Sequence, residues 1–577
     1  MVTPLKTLMG FSVHLNVQLK FYNLPYLKLE SNNTFLIPFS QRSYEWGKPE
    51  VTRLFNDLTS LYNGDQKYHM LNFFTLYRDD DENLRIFDGQ QRTVTCMLIL
   101  AVIAQRLYAQ KDVEAAKQIH EDYFAKTDAL RSDKEDQKKL IFDSGEDNSF
   151  FYQATDINFN FRADLEKTKS IKLSNNQKAI SNNLLHINHL LDEFIQINDN
   201  VDLKKLVTSI IDQTLLVEFD ANEEEVALSM FESLNNTGKN IEKYYVLKND
   251  MVKCLGEDSV KQKWGEIDSA LTGLNHNDFL TATATLKGGK TTTANVLDHL
   301  YLDKEDQSSM KELLNLLSRS ASEFLKICNP SQMGLSKENR KDITTYQSYT
   351  NHIRLFNMKQ HRPIILAMLL TNKPLTEVNQ VLEAILALTV KNFFFNEQKA
   401  NTIEKKFADY ANLMYTDHLT TDKLLNNIRN LCVDDEQLKV SIERKRMTKP
   451  NTKIAFILRE AYNYSYRHNE LEVSSSNNDV EHILPVHPNQ NSKWLTWFPD
   501  EDEREKLTSN IGNLTLWLDK DNRSLKNAEF ADKCEKYMGS GLQENRLIAQ
   551  EKQWTIREIQ NRAIRMADKI VAAFSAN

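Results

Sequence analysis

Apolar and polar positions along the first part of the chain alternate with changing period, and each change marks an element. Thr34 to Pro38 is a short apolar run of strand type. Lys48 to Tyr62 carries Val51, Leu54, Phe55, Leu58 and Leu61, a spacing that predicts a helix with one buried face. Leu71 to Tyr77 and Leu84 to Phe87 read as two strands joined by the acidic turn Asp79 to Asn83. A helix follows from about Thr93 to Gln110, directly after the polar turn Asp88-Gly89-Gln90-Gln91-Arg92. Asn175 to Asp212 is helical, Thr214 to Phe219 is a strand, and Glu223 to Leu234 is a helix stopped by Asn235-Asn236-Thr237-Gly238. From about residue 256 to 468 nearly every segment has helical spacing, with few glycines and no internal repeat. Leu471 to Asp479, with its run Ser474-Ser475-Ser476-Asn477-Asn478, reads as a linker or hairpin turn, and a helix from about Trp554 to Phe574 closes the chain. The expected fold class is therefore α+β and multidomain: an α/β segment over 1–255, a largely helical middle over 256–468, and a small domain over 469–577.

Composition narrows this picture. A chain of 577 residues exceeds one ordinary core, and 41% hydrophobic with 26% charged residues describes a soluble globular protein. The net charge of -8 requires any nucleic-acid surface to concentrate its basic groups locally. Arg444-Lys445-Arg446, with Lys449 and Lys453 beyond, is one such run, and a solvated helix end explains it equally well. The five cysteines are scattered and form no CxxC pair, which disfavours a zinc knuckle and suits a reducing compartment. Lys6, His14 and Lys20 interrupt the apolar N-terminus, and the run Ile364 to Leu370 falls short of a membrane span. A cytoplasmic protein with no membrane partner is expected.

Two stretches carry chemistry. Near the C-terminus, Val480-Glu481-His482-Ile483-Leu484-Pro485 is followed by Ile511-Gly512-Asn513-Leu514-Thr515-Leu516 and then Asp521-Asn522-Arg523. A carboxylate beside a histidine at a strand end, then two asparagines, is the order of parts in an HNH nuclease. His482 would be the general base, because imidazole accepts a proton near neutrality. Glu481 and Asn522 would be hard oxygen ligands for Mg2+ or Mn2+, and Asn513 would hold the loop and the imidazole. A buried histidine capped by a local carboxylate is the bland alternative, and the full set of four outweighs it. His487 reads as a surface histidine, and Trp494 and Trp497 as core.

In the N-terminal turn, Arg92 can fork onto phosphate oxygens, Gln90 and Gln91 can orient water, and Asp88 can hold a metal or simply cap the helix. Gly89 and Thr93 complete a strand-turn-helix that aims backbone N–H groups at an anion. No GxxxxGK[ST] is present, which excludes a standard P-loop. Upstream, Gln41, Arg42, Tyr44 and Trp46 crowd the end of a strand, a composition suited to phosphate or base contact or to aromatic loop packing.

Ile37-Pro38…Gln41-Arg42…Tyr44…Trp46, Asp88 to Thr93, and Phe231-Glu232-Ser233-Leu234-Asn235-Asn236-Thr237-Gly238-Lys239 together resemble the N-terminal domain of GmrSD-like, modification-dependent (type IV) restriction enzymes. Glu481 to Pro485, Gly512 to Leu516, Asn522 and Trp554…Ile559…Arg562 resemble the family's HNH-type (ββα-metal) nuclease domain. The resemblance implies a ParB/sulfiredoxin-like fold whose Asp88–Thr93 turn binds and hydrolyses an NTP (GTP, ATP or another). It also implies modification sensing in the same domain and cleavage in the C-terminal one; the Gln41, Arg42, Tyr44 and Trp46 segment, with a fork-shaped cation and two aromatics, is the expected sensor. The chain departs from the family at Asn72, where relatives usually carry glycine, and at Val246, where an aspartate is commoner.

The function expected is an NTP-dependent or NTP-regulated, metal-dependent endonuclease of anti-phage defence. Its partners would be a nucleoside triphosphate and double-stranded DNA carrying glucosylated hydroxymethylcytosine or phosphorothioate, with a homodimer left open. The competing readings are a DNA-sensing binding protein and a toxin-like effector whose nuclease a partner controls.

Overall fold

The computed structural model describes residues 17–23, 34–39, 41, 43–78, 83–126, 137–159, 173–198, 200–221, 243–334, 339–447, 451–466, 479–517, 525 and 527–575. They form two compact units, one of residues 1–277 with 301–318 and the other of residues 278–300 with 319–577. The helical stretch 256–468 is thus shared between the two units and does not stand as a third.

The N-terminal unit is built on a six-stranded mixed sheet. Its strands are β1 (Val17–Asn23), β2 (Phe35–Ile37), β3 (His69–Arg78), β4 (Leu84–Asp88), β7 (Leu140–Phe142) and β8 (Thr214–Ala221), in the order β1-β8-β3-β4-β2-β7. A two-residue pair, β5 (Ala125–Lys126) with β6 (Gln137–Lys138), lies outside that sheet. β3 runs parallel to β8 and antiparallel to β4, and β2 runs parallel to both β4 and β7. The pattern-based strands at 34–38, 71–77, 84–87 and 214–219 each fall on one of these. β1 and the three short strands β5, β6 and β7 have no counterpart among the expected strands. The helix expected over Glu223 to Leu234, the signature Phe231 to Lys239 and most of the 471–479 linker lie outside the described residues.

The helix Gln90–Ala109 is apolar on every side from Val94 to Ala104, and every residue of that run is buried. By length and apolarity it could cross a membrane, yet it is the central core helix of this unit. Asn72 adopts φ 65°, and the pairing of β3 with β8 skips register between Met70 and Phe73. A bulge with one left-handed residue is where glycine is favoured and asparagine tolerated, which accounts for the departure at this position. Gly89 has φ 101°, and a Cβ there would stand 2.4 Å from the Phe74 ring, so the turn after β4 admits no side chain.

In the C-terminal unit, the described residues of 278–300 and 319–465 are mostly helical, and β9 (Asp479–His482) then pairs antiparallel with β10 (Leu514–Trp517). The helices Phe530–Met538, Gln543–Ile548 and Ile556–Ala573 follow. Trp494, Phe530, Trp554 and Ile559 share one core around the end of β9, and His487 is exposed. Lys445 of the basic run pairs with Glu397 and lies over the Phe394 ring, so its charge is answered locally.

Candidate active site

His482 ends β9 opposite Leu514, and Glu481 before it lies opposite Thr515. Alternation along a strand sends neighbouring side chains to opposite faces. Glu481 turns into the interior. Its Oε1 accepts from the Lys533 ammonium at 2.6 Å and stands 3.4 Å from the Tyr537 hydroxyl. The same ammonium donates to the His482 carbonyl at 2.6 Å. Lys533 and Tyr537 share the face of the helix Phe530–Met538 that Phe530 also buries, one and two turns along. Burial pushes the Glu481 carboxyl up and the Lys533 ammonium down, each toward neutrality, while their contact opposes both. The His482 imidazole, part-exposed, has no hydrogen-bond partner among the described residues. Burial and then the Lys533 charge lower its pKa, which keeps the ring neutral and able to accept a proton.

Glu481 does not fit the part of a metal ligand in this arrangement. Its Oε1 holds an ammonium, and no group of three His, Cys, Asp or Glu among the described residues could hold a divalent ion. Asn522 lies outside the described residues.

Asn513 is a bracket. Its Oδ1 accepts from the Leu484 N–H at 2.7 Å and the Trp554 indole at 3.1 Å. Its Nδ2 donates to the Leu484 and Thr508 carbonyls at 3.0 and 3.1 Å. Both ends of the amide thus hold the loop after His482, and the imidazole is not among its partners. Arg562, fully buried, donates to the Gly512 and Leu514 carbonyls at 2.9 and 2.7 Å and pairs with Glu544. A Cβ on Gly512 would meet the Ile559 carbonyl oxygen at 2.1 Å, so the 511–513 turn lies directly on the last helix. The motif residues 512, 513, 554, 559 and 562 are parts of one scaffold under His482.

The N-terminal turn divides its residues differently from the sequence expectation. Arg92 donates to the Leu71 carbonyl at the β3 bulge and to Asp88 Oδ1 at 3.0 Å, and it covers the Phe74 ring. Asp88 also accepts from the Gly89 N–H at 2.7 Å, and Thr93 returns its hydroxyl to the Gly89 carbonyl. The fork that could have met a phosphate is engaged with the turn itself. Gln91 Oε1 accepts from the Glu45 and Trp46 N–H groups at 2.8 and 3.2 Å, and its Nε2 donates to the Ser43 carbonyl at 3.0 Å. One carboxamide therefore shapes the 43–46 segment. Gln90 alone of the five lines an open cleft of about 240 Å³, together with Gln41 and Lys248.

Gln41 is buried with its Nε2 unpartnered. Lys248 stands 3.9 Å over the Phe39 ring and 3.9 Å from Asp268, and burial lowers its pKa. Sequence reasoning passed over Lys248 and Lys533. Each is a lysine on the apolar face of its helix, and that misplacement was the available signal. Tyr44 is in the core, its hydroxyl bonded to Thr95 at 2.8 Å and to Asn183 at 3.1 Å, and burial pushes its pKa up to about 12. Trp46 is half-buried and lines a second, larger cleft of about 1030 Å³ with Glu45, Asn183 and His276. Arg42 lies outside the described residues.

The C-terminal unit thus presents a histidine at a strand end over a braced turn, and the α/β unit has two open clefts. The family model of the GmrSD restriction endonuclease N-terminal domain matches residues 25–252, and that of the C-terminal domain matches residues 432–569. Together they span more than half of the chain, which belongs to the GmrSD restriction endonuclease family and is a type IV restriction endonuclease acting on DNA. A search of the curated proteins returns no match. The C-terminal match begins ahead of residue 469, and the helices Asp435–Arg444 and Asn451–Ser465 do pack on the closing helix Ile556–Ala573.

Proposed function

We propose that this endonuclease is regulated by a nucleoside triphosphate and cuts or nicks modified double-stranded DNA, with His482 as the general base of an HNH-type site. The observation that carries the reading is His482 itself: an imidazole at a strand end, without a hydrogen-bond partner among the described residues and with its pKa lowered by burial, whose backbone is held by Lys533 and whose following loop is held by Asn513. The base takes a proton from water as it attacks phosphorus, one P–O bond to a sugar oxygen breaks, that oxygen leaves and takes a proton from solvent, and the fixed backbone keeps the ring aimed. No step is assigned to a metal at Glu481.

In the N-terminal unit we assign the nucleotide to the cleft of Gln41, Gln90 and Lys248, which Asn175, Asn176 and the carboxylates Asp143, Asp147 and Asp268 also line, so that a triphosphate enters it with a bound divalent cation. The altered base is assigned to the larger cleft beside Trp46, which has room for a nucleobase with a substituent and offers a ring to stack on. Arg92 and Gln91 serve both clefts by holding the turn and the 43–46 segment. The test is plasmid nicking on modified and unmodified DNA, with and without NTP and Mg2+ or Mn2+. Equal nicking of both plasmids in every condition removes the sensing and nucleotide parts, and no nicking in any condition removes the nuclease.

A further inference from the structure

The buried ammonium beside the nuclease base touches no reacting atom in the chemistry above, and its surroundings say what it is for. Lys533 is fully buried, and its ammonium has two contacts on β9: the Glu481 carboxylate and the His482 carbonyl. The Tyr537 hydroxyl lies against the same Glu481 oxygen. On the partner strand, Thr515 opposite Glu481 is bonded to Asn545 and Tyr462 at 2.6 and 3.0 Å. Among the described residues, the side chains bonded to Glu481 are thus a cation and a neutral hydroxyl. A divalent ion there would need several oxygen ligands and would sit against a fixed positive charge.

We propose that Lys533 is a positioning residue and the resident cation of the nuclease site: Glu481 anchors it, it anchors the His482 backbone, and Glu481 does not bind a divalent ion. This rests on His482 being the nuclease base. A buried lysine without its carboxylate would be an uncompensated charge, so the two residues are needed together. The lysine reaches His482 through the carbonyl, which fixes the end of β9 without engaging the imidazole.

The experiment uses the full-length protein and Mn2+, followed by the electron paramagnetic resonance signal of the free ion. Glu481→Gln is expected to leave Mn2+ affinity unchanged while lowering nicking and melting temperature together. A drop in Mn2+ affinity, about tenfold or more for a lost ligand, overturns the proposal. Because Glu481→Gln could fail to fold, amine labelling of the wild-type protein read by mass spectrometry is the second measurement. Lys533 is expected to stay unlabelled with and without Mn2+, and labelling that appears only when Mn2+ is added means that the ion displaces the lysine and overturns the proposal. The His482 reading is judged apart: His482→Ala that nicks at the wild-type rate defeats that reading, whereas the Mn2+ and labelling results still decide the place of Glu481.

Discussion

Replacing Asn513 by alanine separates a bracket from a reacting group. The side chain is fully buried and closes four hydrogen bonds, to the Leu484 N–H and carbonyl, the Thr508 carbonyl and the Trp554 indole. Alanine leaves all four partners buried with nothing to bond. Each such loss costs on the order of 1 kcal/mol, more where water cannot enter, so the total is about 3–5 kcal/mol. In a unit of this size that lowers the melting temperature by roughly 5–15 °C. Differential scanning calorimetry with a nicking assay on the same preparation reads both effects. The expected result is a lowered transition together with reduced nicking at temperatures where the variant is still folded, because the loop after His482 is no longer held. Asn513→Asp should be at least as damaging, since it puts a carboxylate against the Leu484 and Thr508 carbonyls. A variant that melts with the wild type but no longer nicks would refute the bracket and return Asn513 to the reaction itself.

Three further outcomes follow from the geometry. His482→Ala should lower nicking roughly a hundred- to ten-thousand-fold while DNA binding stays as it was, and unchanged nicking removes the base. Gln90→Ala should weaken nucleotide binding in equilibrium titration, whereas Gln91→Ala, which frees the Glu45 and Trp46 N–H groups, should also undo the 43–46 segment and so weaken stacking of the altered base beside Trp46. Equal effects of the two would remove the distinction. His361 is buried in the C-terminal unit, where burial and then Arg362 depress its pKa to about 3. The unfolded chain therefore binds the extra proton first, so this contribution is intact above about pH 6.5 and is lost as pH falls from there toward 3. Urea denaturation across that range should be shallower in pH for His361→Leu, and an identical slope in the two proteins would exclude His361 as the group responsible.

The sequence by itself determined what is local. The spacing of Val51, Leu54, Phe55 and Leu58 fixes a helix because four side chains three or four apart must share a face, and the structure has it over Lys48–Asn63. The turn Asp88 to Arg92 between a strand and a helix, and the Glu481-His482 pair at a strand end, were legible for the same reason: each is set by neighbours along the chain. The family resemblance was legible too, since motifs and their order are properties of the string.

What only the tertiary structure decided is which partner each charged group meets. Arg92 faces Leu71 and Asp88 in place of a ligand because β3 bulges at Asn72 and brings a carbonyl to it. Tyr44 went to the core because Thr95 and Asn183 offered its hydroxyl partners there, so an aromatic that could have stacked on a base instead holds the loop. Glu481 meets Lys533, 52 positions away, only once the helix Phe530–Met538 lies on β9. No periodicity announces that meeting, because the energy of a buried charge depends on what surrounds it in space.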